Sequence, residues 1–128
     1  MAQIKGIIVN DGGAPARIMN FIAAAALSAG DALHIDTDGK AGKCDDNDEP
    51  IAGYSLTDAA ASAPVSMVTG GGLMLYVNVA NVATGVLLMA DEATPCQLTT
   101  LVEGSNNVGV AVTLENNSGA GLTKVLVF

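Results

Sequence analysis

Gly30-Asp31-Ala32-Leu33-His34-Ile35-Asp36 returns 55 positions later as Gly85-Val86-Leu87-Leu88-Met89-Ala90-Asp91, with glycine at the head, leucine in the middle and aspartate at the end of both. The first copy alternates small or apolar residues with polar ones, the period of a strand with one buried face. It stops at Thr37-Asp38-Gly39-Lys40, a hairpin-type turn. A second point of register follows, because Val108-Gly109-Val110-Ala111-Val112-Thr113 lies 56 positions after Ala52-Gly53-Tyr54-Ser55-Leu56-Thr57. Each copy then runs through a polar or small-residue loop into a closing strand, Val65 to Val68 in the first and Thr123 to Val127 in the second. Two matches at nearly one offset predict a duplicated β unit.

Outward from these copies the chain reads as strands and turns. Leu73-Met74-Leu75-Tyr76-Val77-Asn78-Val79 is the most strongly β-prone stretch, introduced by the loop Gly70-Gly71-Gly72. Arg17 to Leu27 is divided: four alanines favour helix, but Pro15 and Ser28-Ala29-Gly30 leave only about eleven residues, marginal for a helix without tertiary support. An extended segment is the expectation there, with one short helix as its rival. No crossover helix long enough for a parallel α/β sheet is evident. The predicted architecture is mostly β, a small barrel or sandwich built from two similar units. Residues 1–20 form an N-terminal arm and 21–128 a single β domain.

The chain's 128 residues suffice for a core that buries about 68% of the unfolded surface. That core is aliphatic, since the aromatics are only Phe21, Tyr54, Tyr76 and Phe128. Half of the residues are apolar and 14% are charged, a thin charged cover that points to surface hidden by other subunits. The net charge of −8 is uneven: Lys5 and Arg17 against Asp11 leave residues 1–30 at +1, so the remainder carries −9. An acidic body without a Lys/Arg cluster argues against direct nucleic-acid binding. The longest apolar run, Phe21 to Leu27, is seven residues, so no membrane helix is encoded. Met1-Ala2-Gln3-Ile4-Lys5 leads into Asn10-Asp11-Gly12-Gly13 without a secretory h-region, which predicts a product made in the cytoplasm. Cys44 and Cys96 have no CxxC spacing; they are expected as reduced thiols, with a disulfide open only if the fold brings their Cα atoms within about 7 Å.

Chemistry finds little support. His34, the single histidine, stands near Asp36 and Asp38, but a G-x-S-x-G nucleophile turn is missing. Two cysteines and one histidine lack zinc spacing. An EF-hand counted from Asp36 would put Ala41 where glycine is needed and Asn47 where a bidentate acid is needed. Gly70-Gly71-Gly72 is not followed by Lys-Ser/Thr, so it is no phosphate cradle. A glycosidase or a carbohydrate-binding surface module is opposed by the absence of tryptophan and the scarcity of tyrosine. The expectation is a non-enzymatic protein with no cofactor and no metal.

Ala29-Gly30-Asp31-Ala32-Leu33, Ala52-Gly53-Tyr54, Ala83-Thr84-Gly85-Val86 and the run from Val108-Gly109-Val110-Ala111 to Leu126-Val127 together resemble the capsid decoration, or cement, proteins of tailed bacteriophages. The resemblance covers residues 20–128. It implies a compact β-tulip-like body and a homotrimer on the outer surface of the virion capsid, stapling major capsid protein subunits together. A β-structured phage tail or baseplate component shares the same composition and is the alternative. Residues Met1 to Met19 precede the match. Ile4, Ile7, Ile8 and Val9 offer β-branched strand edges, and with Lys5 and Arg17 they lie where net negative charge is absent. These six residues are the expected partner-binding arm, reaching to the capsid or to an adjacent subunit.

Overall fold

The computed structural model describes residues 8–10 (backbone), 17–44, 51–69, 72–91, 94–102 and 109–128. Those residues hold eleven strands and no helix: β1 (Ile8–Asn10), β2 (Arg17–Ile22), β3 (Ala32–Ile35), β4 (Ala41–Lys43), β5 (Gly53–Ser55), β6 (Pro64–Thr69), β7 (Leu73–Val79), β8 (Leu87–Ala90), β9 (Leu98–Thr100), β10 (Ala111–Thr113) and β11 (Gly121–Val127). Of the two readings of Arg17 to Leu27, the extended one holds: all of β2 pairs antiparallel with β6.

The duplication is visible in the topology. The first sheet runs β2-β6-β5-β3-β4 and the second β7-β11-β10-β8-β9, the same order with each label raised by five. All neighbours within these two rows are antiparallel. Each row then closes on itself through one parallel contact, Ala23 to Ala41 in the first unit and Val79 to Leu98 in the second. Closure removes most free strand edges, which is how a small five-stranded body satisfies its backbone. The strand β1 is additional and lies antiparallel on β7, with Ile8 opposite Leu75.

Equivalent hydrogen bonds fix the register of the two copies. Gly30 N–H donates to Ser55 O at 2.7 Å, and Gly85 N–H donates to Thr113 O at 2.9 Å. Ala52 N–H donates to Leu33 O as Val110 N–H does to Leu88 O, and Cys44 N–H to Ala32 O as Leu101 N–H does to Leu87 O. These bonds align β5 with β10 at an offset of 58, so Gly53 matches Ala111 rather than Gly109. The offset of 56 expected from the glycines is therefore two residues short. A slip of two leaves every side chain on its own face, which is why the apolar pattern alone did not expose it.

Alternation explains the interior. In β7 the residues Leu73, Leu75, Val77 and Val79 are buried and the residues between them are half-buried. Leu33, Val65 and Met67 centre the first unit's core. Leu75, Leu88 and Leu98 belong to a larger core that fills the second unit and takes in Ala32, Cys44, Tyr54 and Val68 of the first. The two units are thus joined by a shared apolar core, each large aliphatic side chain in it contributing about 2 kcal/mol by burial.

Candidate functional site

Three features of the described residues have functional potential: the joint between the units, the cleft beside it and the outer edge of β2. At the joint, Asn78 N–H donates to Gly30 O at 2.9 Å, Ala32 N–H to Cys96 O at 3.1 Å and Cys96 N–H to Cys44 O at 2.9 Å. Gly30 has φ +92, and a Cβ there would stand 2.5 Å from Leu122 Cδ2 and 3.4 Å from Tyr76 O, so the close approach needs glycine. Asp31 beside it is buried; its Oδ2 accepts from Ser28 N–H at 2.8 Å, and its carboxylate also bonds the side chains of Cys96 and Asn78.

Burial raises the Asp31 pKa above the ordinary carboxylate value, with the Ser28 amide as the main opposing influence. The sign follows from linkage: this group favours folding fully below its unfolded pKa near 3.8 and loses that advantage as pH rises through the higher folded value. Asp31→Asn keeps an oxygen for Ser28 N–H and cannot ionise. Its stability relative to the native chain is therefore expected to improve between about pH 3 and pH 7 in urea titrations; a difference independent of pH would refute the assignment.

Burial likewise pushes the Cys96 thiol well up, with Asp31 next among the causes. A thiol held protonated is a weak nucleophile, so the Asp31–Cys96 pair serves the joint rather than thiol chemistry. Both cysteines are buried as thiols. The residues weighed for other chemistry are also committed to the fold. Asp36 Oδ1 accepts from the amides of Asp38 and Lys40, holding the β3–β4 hairpin. His34 is half-buried with its Cε1 against Gly42. Asp45 to Glu49 lie outside the described residues. Among the described residues no group of three His, Cys, Asp or Glu side chains could hold a metal.

A cleft of about 310 Å³ opens beside the joint, walled by Tyr54 and Val68 of the first unit and by Leu73, Val110, Val127 and Phe128 of the second. The Tyr54 hydroxyl is buried without a hydrogen-bond partner, and burial raises its pKa.

The outer edge of β2 is the third feature. The side chains of Arg17, Ile18, Met19, Asn20 and Ile22 are exposed, although their strand is paired to β6 throughout. Ala23 N–H donates inward to Ala63 O, so by strand alternation the Ile22 N–H faces the other way. The corresponding edge of β7 is covered, by β1 at Met74 and Leu75 and by Gly30 at Asn78.

Of the six arm residues, Ile4, Lys5 and Ile7 lie outside the described residues. Ile8 and Val9 fall on β1, which adds to the second unit's sheet, whereas Arg17 opens β2 of the first. The three described ones therefore stand on two different sheets. Sequence reasoning missed the residues next to Arg17; the signal available was Ile18, Met19 and Ile22, apolar on both faces of a strand that cannot bury both. No membrane-crossing helix is present among the described residues. No protein-family model matches the sequence, and no curated protein shows significant similarity to it.

Proposed function

We propose that this chain is a capsid decoration, or cement, protein that binds the outer surface of a tailed-phage head as a homo-oligomer and stabilises contacts between major capsid protein subunits. One observation carries the reading. Asp36 is spent on a hairpin and Asp31 on the joint, while Ile18, Met19, Ile22, Leu87 and Val102 remain exposed among the described residues. Exposed aliphatic side chains suit a protein that works through surfaces. The sequence resemblance over residues 20–128 supplies the partner, and the acidic body agrees with a place outside the shell, away from packaged DNA.

Mixing the purified protein with expanded, undecorated capsids and sedimenting them tests it. Co-sedimentation at a fixed, saturating ratio is expected. Failure to sediment with the shells would overturn the capsid assignment and favour a tail or baseplate component.

A further inference from the structure

The two units differ in what covers them. In the first unit Gly30, Asp31, Ala32, Cys44 and Tyr54 are buried against the second. Their register equivalents in the second unit are Gly85, Val86, Leu87, Leu101 and Val112, and each is exposed or half-buried. Ala32 is 1% exposed and Leu87 is 46% exposed. The receiving side shows the same contrast in reverse. In the second unit Tyr76, Asn78, Cys96 and Leu122 receive the first unit; their equivalents Asn20, Ile22, Gly39 and Pro64 are all exposed. Cys96 and Gly39 match in detail, both with positive φ, at 69 and 76, two residues before the third strand of their unit, β9 and β4.

Among the described residues one joint is therefore made and two half-joints are left open, a donor face on the second unit and a receiving edge on the first. Their side chains are complementary. At the internal joint polar Asp31 meets polar Asn78, and at the open half-joints the equivalents are Val86 and Ile22, both apolar. Small Ala32 stands against Cys96, while the larger Leu87 would stand against Gly39, which has no side chain. Gly85 keeps the left-handed backbone of Gly30, φ +79 against +92, with nothing within 4 Å of a Cβ position. The outward Ile22 N–H has the place from which Asn78 N–H donates to Gly30 O.

We infer that the chain associates head to tail with a second copy through a repeat of its own internal joint. The Gly85–Leu87 face of one copy, with Val112, seats on the β2 edge and Gly39 of the next, and Gly85 O accepts from the neighbour's Ile22 N–H. The contact is heterologous, so it generates a ring where the rotation between copies closes. A head-to-tail chain of copies continues the alternation of units already present within one. This inference rests on the self-association half of the reading above and is independent of the capsid half.

Leu87→Glu disables the donor face and Ile22→Glu the receiving edge, and both positions are exposed in the single chain. Light scattering after gel filtration, without capsids, is expected to find the native chain oligomeric and each variant monomeric. An equimolar mixture of the two variants keeps one intact joint per pair, so a species of twice the chain mass and nothing larger is expected at high protein concentration. A monomeric native chain, a mixture that stays monomeric, or variants that assemble like the native chain would each overturn the inference. If either glutamate variant loses its β circular dichroism, Leu87→Ser and Ile22→Thr repeat the test with the strand retained.

Discussion

Gly53→Ala is expected to destabilise the chain by about 3 kcal/mol, the upper end for forcing a methyl group into a packed core. A Cβ on Gly53 would stand 2.6 Å from Val68 O and 2.7 Å from Met67 Cγ. The first neighbour is backbone of the adjacent strand, so it cannot move aside without parting β5 from β6. The second unit shows how the same site accommodates a methyl group. There the equivalent residue is Ala111, fully buried, and the place of Met67, paired with Ser55, is taken by Val125, paired with Thr113. The long thioether fills the space that the alanine methyl takes in the other copy. Gly53→Ala combined with Met67→Val imports the second unit's pair and is expected to recover part of the loss, leaving the Val68 carbonyl contact. Thermal unfolding reads both: a fall of about 10 °C for the single variant, partly restored in the double. An unchanged Tm for Gly53→Ala would refute the account of this contact.

The two-unit plan was legible in the sequence because Gly30 to Asp36 and Gly85 to Asp91 begin with the same backbone requirement. Each needs glycine in the left-handed region just before the second strand of its unit, β3 or β8, and that requirement survives divergence of the residues behind it. The exact register was less legible. The glycines at 53 and 109 suggested one offset, but the buried hydroxyls of Ser55 and Thr113, each followed by leucine, mark the true equivalence. Hydroxyls at those places have different partners: Ser55 Oγ donates to Thr57 O, and Thr113 Oγ1 donates to Ala83 O while accepting from Val86 N–H. A reading built on hydropathy counts both as polar and passes over them.

The candidate surfaces were legible only in outline. A thin charged cover pointed to apolar surface in need of a partner, and the first twenty residues were the natural place to put it. The structure moves the weight toward Ile18 to Ile22 and toward Leu87, because burial depends on which copy of a repeated face finds a partner inside the chain. Ala32 and Leu87 occupy equivalent sites with opposite exposure, and no local pattern distinguishes them. The difference arises from order along the chain: the first unit has a successor to pack against and the second has none among the described residues.

Gly30→Ala and Gly85→Ala separate the two joints by experiment. Both glycines have positive φ, so alanine costs each about 1 kcal/mol in the backbone alone. Only at Gly30 does the new methyl group also meet Leu122 and Tyr76, across the internal joint. Unfolding of the isolated chain by urea is therefore expected to show a total loss of about 2–3 kcal/mol for Gly30→Ala and about 1 kcal/mol for Gly85→Ala. Assembly should show the opposite ranking relative to stability. A methyl group on Gly85 stands where the neighbouring copy's Asn20 carbonyl and Pro64 would come, so this mildly destabilised variant is expected to lose its oligomeric state. Equal stability losses would mean that the internal joint tolerates the methyl group. A Gly85→Ala chain that assembles like the native one would show that the second unit's glycine faces solvent in the assembled particle, and the receiving edge of β2 would then have to be filled from elsewhere.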